Sequence, residues 1–133
     1  MKIAVVGSRE FNDIEFINKT LYSYFASEHG YKKDMVLVSG GARGVDTLAE
    51  NFIDRMNKSV EESTGWKKFY DKIIYLPDWD KYGKRAGFLR NKLIIENADM
   101  VLAFWDGKSK GTKNSIDLAI EKNIPINIYI RNK

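Results

Sequence analysis

Short apolar runs and longer amphipathic segments alternate along this chain. The runs are rich in Val, Ile and Leu, which is typical of strands buried on both faces of a sheet. Turn-forming residues close the first and third runs, at Gly7 and Pro77. The predicted strands cover residues 2–6, 35–38, 72–76, 100–104 and 124–130.

The segments between these runs place apolar residues at the three- and four-residue spacing of amphipathic helices. In the first segment Ile14 begins the apolar face, with Asp13 as the expected N-cap and Gly30 as the expected stop. Polar residues 58–71 predict a helix end and a loop, and residues 78–87 predict a further long loop. The predicted helices cover residues 13–28 and 45–57, with two more through residues 89–98 and 116–120.

Strands that alternate with helices at this pace indicate a parallel sheet with right-handed crossovers. The helices then cover both faces of the sheet. We therefore predict an α/β protein with a Rossmann-like three-layer α/β/α fold and a mainly parallel sheet of about five strands. A chain of 133 residues is expected to form one domain over residues 1–133.

The composition is that of a globular protein with a mild positive charge. Hydrophobic residues make up 44% of the chain, and the formal net charge is +4. This excess permits an anionic ligand without requiring nucleic acid. The absence of Cys excludes disulfides and thiolate zinc sites, and a lone histidine, His29, is typical of a surface residue. We therefore predict no metal and no cofactor.

The amino-terminal apolar run is too short for a signal peptide or a membrane span. No later apolar run approaches the length needed to cross a bilayer. These features predict a cytoplasmic protein that has no membrane partner.

Three loops that contain glycine follow the first, second and fourth predicted strands. They cover residues 7–9, 39–44 and 106–112. The carboxyl ends of parallel strands meet at one edge of a sheet, where α/β proteins bind their ligands. Two of these loops lead directly into helices, whose first N–H groups have no partner within the helix. The sequence therefore predicts an anion site, to which Arg9 and Arg43 add charged hydrogen bonds.

The glycines of residues 39–44 also fit a tight strand–helix turn without a ligand. The stretch does not match the GxGxxG fingerprint of dinucleotide-binding proteins, and nothing in the chain matches the GxxxxGK[ST] loop of ATPases. Nicotinamide and ATPase functions therefore lose their main sequence support. Three such loops on one edge favour a ligand over a scaffold whose loops hold nothing.

Asp46 lies at the start of the second predicted helix and has two candidate roles. A carboxylate at this position commonly caps free N–H groups. It fits equally a role in holding ribose hydroxyls. Because it would repel a phosphate beside it, a phosphate is expected nearer Arg43 or the other loops.

Residues 81–92 form a basic segment without an acidic residue. Such a segment is either a solvated face or a lid over an anionic ligand. The aromatic residues near it could stack on a base or belong to the core. The residues concerned are the cations Lys81, Lys84, Arg85, Arg90 and Lys92 and the aromatics Trp79, Tyr82, Phe88 and Trp105.

Several of these motifs resemble the SLOG superfamily, which includes the DNA-processing protein DprA (Smf) and the Lonely Guy phosphoribohydrolases. Residues 38–46, Val-Ser-Gly-Gly-Ala-Arg-Gly-Val-Asp, are similar to the Ser-Gly-x-Ala-x-Gly-Ile-Asp signature of DprA. Residues 7–9, 86–91 and 103–112 look most like the YspA-type, YpsA-related group of small stand-alone proteins. The motifs occur in order over almost the whole chain.

The resemblance implies a pocket for nucleotides or nucleotide-derived ligands at these loops. The implied partner is a nucleotide-like small molecule, and related enzymes pair into homodimers. The candidate ligand- and phosphate-binding residues are Gly7, Ser8, Arg9, Ser39, Gly40, Gly41, Arg43, Gly44, Asp46, Arg90, Asn91, Asp106, Gly107, Gly111 and Thr112.

One departure from the family pattern leaves catalysis open. Lonely Guy enzymes carry a catalytic glutamate three residues after the Gly-Thr pair, and this chain has Ser115 there. Asp117 is no substitute, because two further residues turn a helix position by roughly 200°. No catalytic residue is therefore assigned, and ligand binding is the leading prediction.

Two other functions stay open. One is the N-glycosidic hydrolysis of nucleoside monophosphates, in the manner of Lonely Guy enzymes. The other is single-stranded DNA binding in the manner of DprA, in which residues 81–92 and 108–113 would follow the backbone and aromatics would stack on bases.

Overall fold

A five-stranded parallel sheet with helices on both faces forms the centre of the computed structural model, which describes residues 1–27 and 30–130. The predictions for His29 and for the tail 131–133 lie outside the described residues. In chain order the strands are β1 (Lys2–Gly7), β2 (Ala26–Ser27), β3 (Gly30–Tyr31), β4 (Val36–Ser39), β5 (Asp71–Ile74), β6 (Met100–Trp105) and β7 (Ile126–Ile130). The helices are α1 (Ile14–Phe25), α2 (Val45–Thr64), α3 (Trp79–Tyr82), α4 (Ala86–Glu96) and α5 (Lys110–Glu121).

The central sheet has the strand order β5–β4–β1–β6–β7, and every neighbouring pair is parallel. The chain moves outward from β1 through β4 to β5 and then returns to the other side of β1 for β6 and β7. The order therefore reverses between β1 and β6, at the centre of the sheet. This confirms the predicted parallel α/β architecture of about five strands.

Alternate residues of the central strands face opposite helical layers. Ile3 and Val5 pack with residues of α1 and α2, whereas Ala4 and Val6 pack with residues of α4 and α5. All four side chains are buried, because strands that point side chains to both faces of a covered sheet have no polar side. The three-layer α/β/α arrangement is therefore confirmed.

The first helix is shorter than predicted. The Asp13 cap is confirmed, since its carboxylate accepts a hydrogen bond from the Phe16 amide. The helix ends at Phe25 rather than near Gly30, because the chain then enters the small antiparallel ladder of β2 and β3. Gly30 belongs to β3 and is not the helix stop.

The second helix is longer than predicted, because its apolar face continues. Val60 is buried one turn after Met56, and α2 runs on to Thr64. Gly65 then ends the helix in the left-handed conformation, with φ of 76°. The helix end and the loop predicted within residues 58–71 are therefore both present, with the helix ending at Thr64.

Residues 78–87 form helical turns rather than a loop. The Asp78 carboxylate accepts from the Lys81 amide and caps α3, and a short 3₁₀ turn over Gly83–Arg85 joins α3 to α4. The last strand begins at Ile126, two residues later than predicted. Among the described residues, no helix combines the length and the apolar character that a membrane span needs.

Candidate functional site

The three predicted loops lie together at the carboxyl edge of the sheet, around the point between β1 and β6 where the strand order reverses. Ligands of open α/β sheets bind in the crevice at such a point. Here the crevice is a cleft of about 360 Å³. Of the predicted site residues, the structure brings into its lining Gly7, Arg9, Arg43, Asp46, Arg90, Asn91, Asp106, Gly111 and Thr112.

Ser8 joins the β1 loop to the β6 loop beneath the cleft. It is buried, and its Oγ lies 3.2 Å from Asp106 Oδ1 and 3.3 Å from Thr112 Oγ1. The same Oγ accepts a hydrogen bond from the Asp106 amide at 3.1 Å. Ser8 is thus placed to hold the two loops in register, and it does not line the cleft itself.

Asp106 organises the turn that leads into α5. Its Oδ1 accepts from the amides of Lys108 and Ser109, each at 2.8 Å. These two bonds, the Ser109 one first, together with the bond from Ser8, hold the pKa of Asp106 below its usual value. Asp106 therefore stays ionised and fixes the loop in which α5 begins.

The first turn of α5 opens into the cleft. Ser109 is the N-cap but makes no capping bond with its side chain. Gly111 and Thr112 follow in the first turn and line the cleft, and a Cβ on Gly111 would have no atom within 4 Å. The free N–H groups and the positive dipole end of a helix form an anion site. This helix start therefore offers one directly to the cleft.

Arg90 crosses from α4 to the loop after β4. Its Nη1 donates to the Gly40 carbonyl at 2.7 Å, and its Nε donates to Asn91 Oδ1 at 3.1 Å. A Cβ on Gly40 would lie 2.6 Å from that Nη1. Gly40 thus leaves space for an arginine of the protein itself. Asn91 in turn donates to the Gly111 carbonyl and to Asn114, which ties α4 to the start of α5.

Other glycines of the predicted site are also surrounded by protein atoms. A Cβ would lie 2.5 Å from Val45 at Gly7, 2.6 Å from Leu76 at Gly41, and 3.1 Å from the Arg9 backbone at Gly44. Gly41 and Gly44 also have positive φ, of 68° and 84°. Close packing against other parts of the protein therefore accounts for these glycines, as the alternative of a tight turn without a ligand predicts. The predicted residues outside the cleft lining are Ser8, Ser39, Gly40, Gly41, Gly44 and Gly107.

Asp46 is a buried carboxyl in the wall of the cleft, with 7% of its surface exposed. Its Oδ2 accepts from the Ala42 amide at 3.1 Å, so it holds the loop before α2 instead of capping the helix. Burial raises its pKa to about 6, and nearby Glu50 adds to this, while hydrogen bonds and Arg90 oppose the shift. Asp46 therefore exchanges a proton close to neutral pH.

Charges of both signs line the cleft. The cations are Arg9, Arg43 and Arg90, and the acids are Glu10, Asp46 and Asp106. Within residues 1–27 and 30–130, the exposed guanidinium groups of Arg9 and Arg43 have no ion-pair or hydrogen-bond partner. Two unpaired guanidinium groups and a helix N-terminus therefore face the same space.

Of the basic segment 81–92, Arg90 and Asn91 line the cleft, and Arg90 is the one cation of the segment that does so. Its other cations are exposed. The segment is thus largely a solvated face and not a lid on this cleft. Trp79, Tyr82 and Phe88 are also exposed, so the core interpretation was wrong for them. Trp105 is half-buried and donates from its indole to the Ser109 carbonyl at 3.1 Å.

The position of the family glutamate is a buried serine. Ser115 lines the cleft one turn beyond Thr112. Asp117 lies on the exposed side of α5, where it pairs with Lys113 at 2.9 Å, which confirms that it cannot replace a glutamate at residue 115.

Three polar residues at the site were not among the predicted site residues. Glu10 and Ser109 line the cleft, and Glu50 lies behind it, where its Oε2 accepts from Ser39 Oγ at 2.8 Å. The spacing of Asp46 and Glu50, four residues apart on one helix, was the available signal, since it puts both on one face. Ser109 was marked only by its place at the start of α5.

Comparison with known proteins now decides the family. A model described as "YspA, cpYpsA-related SLOG family" (YAcAr) matches residues 1–82. The chain belongs to this family. Gene 61 protein of Mycobacterium phage D29 is 32% identical over 127 residues, which is 94% of this chain and 93% of that protein. The predicted SLOG resemblance is therefore confirmed.

Two solved structures share the fold of this YAcAr chain. DprA from Streptococcus pneumoniae matches with a TM-score of 0.66 and 20% identity, over 96% of this chain and 49% of that one. DprA from Helicobacter pylori, whose structure concerns its single-stranded DNA binding mode, matches with a TM-score of 0.60 and 25% identity over 96% and 64%. This chain thus spans about half to two thirds of those DprA chains.

Proposed function

We propose that this YAcAr chain binds a nucleotide or nucleotide-derived ligand in the cleft between β1 and β6. One observation carries the proposal: the open first turn of α5 shares the cleft with Arg9 and Arg43, which are unpaired within the described residues. Membership of a SLOG family supports binding of nucleotides or nucleic acid in general. The cleft volume, about 360 Å³, lies within the range of small-molecule sites.

In this proposal the anionic group of the ligand lies on the α5 side of the cleft. The N–H groups of Gly111 and Thr112 receive it, and the helix dipole adds about 0.3–1 kcal/mol at an exposed site. Arg9 and Arg43 approach from the opposite wall with forked, charge-assisted hydrogen bonds. Arg90 and Asn91 keep the two walls together through Gly40 and the start of α5.

Asp46 fits the ribose better than the phosphate. Its ionised carboxylate repels an anion and accepts hydrogen bonds from hydroxyl groups. Its place in the wall formed by the loop before α2 separates it from the first turn of α5. A ribose between phosphate and base would lie against this wall.

The test is a binding screen with a matched arginine control. Thermal shift and calorimetry with nucleotides and cyclic dinucleotides identify a ligand for the wild type. Arg43→Ala then removes charge-assisted bonds worth about 1.5–3 kcal/mol, which weakens binding by about 10- to 100-fold. Arg85→Ala, an exposed arginine outside the cleft, should leave the affinity unchanged. No ligand for the wild type, or equal affinity in Arg43→Ala, contradicts the proposal.

The raised pKa of Asp46 supports N-glycosidic hydrolysis as a second candidate function. In that reaction water forms a bond to C1′ of the ribose, the C1′–N bond breaks, and the base leaves with a proton. A carboxyl with a pKa of about 6 can move protons near neutral pH, although Ser115 replaces the family glutamate. Incubation with AMP should then release adenine and ribose 5-phosphate, and Asp46→Asn should abolish the release. Intact AMP after long incubation excludes this function for AMP.

The exposed surface of residues 79–92 favours a third candidate, single-stranded DNA binding. Trp79, Tyr82 and Phe88 are exposed among cations, the combination that stacks bases and follows a phosphate backbone. The H. pylori DprA structure, which concerns single-stranded DNA binding, supports it. Fluorescence anisotropy with a labelled oligothymidylate should show affinity that falls steeply with salt and is lost in Trp79→Ala. Absent or salt-independent binding contradicts it.

A homodimer and a cytoplasmic location complete the proposal as predictions. Sedimentation velocity over a range of concentrations tests the first, with a monomer at all concentrations as the contrary result. Cell fractionation with an antibody to the native protein tests the second, with recovery outside the cytoplasmic fraction as the contrary result.

A further inference from the structure

A second cleft adjoins the first and shares Arg9 and Arg43 with it. It has a volume of about 310 Å³. Its other lining residues are Phe11, Asn12, Ile14, Gly44, Thr47 and Leu48. The two arginines therefore form a ridge with one cleft on each side.

Gly44 allows this ridge to form. The backbone of Arg9 lies so close that a Cβ on Gly44 would be 3.1 Å from the Arg9 Cα. The loop after β1 is thus pressed against the start of α2, which directly follows Arg43 and Gly44. This contact brings two arginines from distant parts of the sequence to one place.

The second cleft differs from the first in chemistry. Its exposed lining is mostly apolar, and no acidic residue belongs to it. Ile14, predicted on the apolar face of the first helix, does not join the core but is 52% exposed here. Leu48 is half-buried beside it. Covering the exposed apolar surface of Ile14 would lower the free energy, and two cations lie beside it. A ligand with an apolar face therefore fits this cleft.

We infer that the second cleft is the subsite for the nucleobase of the ligand whose phosphate lies in the first cleft. This inference rests on the proposed function and names the part of the ligand that this function leaves open. A base is planar, with apolar faces and a polar edge. Guanidinium planes stack on bases, as the ridge would allow, and aliphatic side chains such as Ile14 and Leu48 cover the opposite face.

Asn12 supplies the polar group for the edge of the base. Its side-chain amide offers both donors and an acceptor, which is the pattern that pairs with base edges. Within the described part of the chain this amide has no hydrogen-bond partner. Base preference is therefore expected to depend on Asn12.

The test compares ligands with and without a base. Calorimetry is run with the four ribonucleoside 5′-monophosphates and with ribose 5-phosphate, on the wild type, Ile14→Ala and Ile120→Ala. Ile120 is the matched control, since it is exposed at a helix surface outside both clefts. At least one nucleotide should bind the wild type more tightly than ribose 5-phosphate does. Ile14→Ala should weaken that nucleotide about fivefold to tenfold and leave ribose 5-phosphate unchanged.

The outcomes separate this inference from the proposed function. If nucleotides and ribose 5-phosphate bind the wild type equally, or if Ile14→Ala and Ile120→Ala behave alike, the base subsite is wrong and the phosphate site stands. If none of the five compounds binds, the base subsite is wrong, whereas the proposed function fails only if the screen with other nucleotides and cyclic dinucleotides also finds no ligand. If Asn12→Ala leaves the order of preference among the four bases unchanged, the assignment of the base edge to Asn12 is wrong.

Discussion

The two loops that run into α2 and α5 both contain glycines and cations, but the surroundings of their glycines differ. In the loop before α2, a Cβ on Gly40 would lie 2.6 Å from Arg90 Nη1 and a Cβ on Gly41 2.6 Å from Leu76 Cδ2, so these side chains would have to move. In the first turn of α5, a Cβ on Gly111 would meet nothing within 4 Å. Glycine content alone therefore does not indicate a ligand site. The proposed site rests instead on the open first turn of α5 together with Arg9 and Arg43, which are unpaired in the described part of the chain.

The acids of the same two loops differ in the same way. Asp46 lies in the first turn of α2, and its burial raises its pKa to about 6. Asp106 accepts two backbone hydrogen bonds, which lower its pKa. Ionisation of Asp46 thus works against folding, whereas ionisation of Asp106 supports it. The loop before α2 is closely packed around a buried carboxyl, whereas the loop before α5 is held by hydrogen bonds and leaves its helix start open.

Gly44→Ala should have the largest effect on folding. The backbone there has φ of 84° and ψ of −123°, which an L residue adopts only with strain, and the new Cβ would press on the Arg9 backbone. We expect the free energy of unfolding to fall by about 2–4 kcal/mol. Urea denaturation measures it. A loss below about 0.5 kcal/mol, the usual limit for surface substitutions, would show that this loop is not tightly packed.

Asp46→Asn should stabilise the protein at neutral pH. The folded pKa, about 6, lies above the ordinary value of 3.8, so the folded state holds more protons between these values and stability falls as pH rises through that window. Removing the charge should add about 1–3 kcal/mol at pH 7.5 and flatten the stability curve between pH 4 and pH 6. Urea titrations of both proteins at several pH values test this. An unchanged curve in the variant is the contrary result.

Asp106→Asn should act in the opposite direction. An amide oxygen replaces the carboxylate that Lys108, Ser109 and Ser8 contact, so the charged component of these bonds is lost. We expect a loss of about 1–2 kcal/mol at neutral pH. Because the pKa of Asp106 is lowered in the folded state, the difference from wild type should shrink as the pH falls below the unfolded pKa and through the folded one. If the variant is as stable as the wild type at pH 7.5, the Asp106 carboxylate does not stabilise the loop before α5.

Gly111→Ala should have the smallest effect on stability and the opposite sign to Gly44→Ala. The methyl group enters open space, and alanine loses less conformational freedom on folding, so a gain of about 0.4–1 kcal/mol is expected. The same methyl group projects into the cleft and should weaken the binding of an anionic ligand. Thermal denaturation with and without the ligand measures both changes. Destabilisation, or unchanged ligand binding, would contradict the open first turn of α5.

The sequence predicted the centre of the sheet well because β1, β4 and β6 are buried on both faces. Continuous Val, Ile and Leu runs, such as residues 2–6, leave little alternative to a parallel sheet. Helix ends were less predictable. Gly30 resembled a helix stop, but it belongs to β3 and pairs with Ser27 of β2. The polar sequence after residue 57 gave no sign that Val60 would be the last buried residue of α2.

The location of the candidate site could be predicted from the sequence, but the roles of its individual residues could not. Parallel topology alone brings the three loops to one edge. The neighbours of each glycine could not be inferred, because Arg90 lies 50 residues along the chain from Gly40. The exposure of Ile14 could not be predicted either, because its helical spacing is that of a core residue.

An NMR titration tests the anion site without a known ligand. Pyrophosphate is added to ¹⁵N-labelled protein, and the amide resonances of Gly111 and Thr112 are compared with those of Gly40 and Gly41. The open first turn of α5 predicts that Gly111 and Thr112 shift most, with saturation, while Gly40 and Gly41 move little. Large, saturating shifts at Gly40 and Gly41 with an unchanged Gly111 resonance would place the anion at the loop before α2 and contradict the site described for this protein.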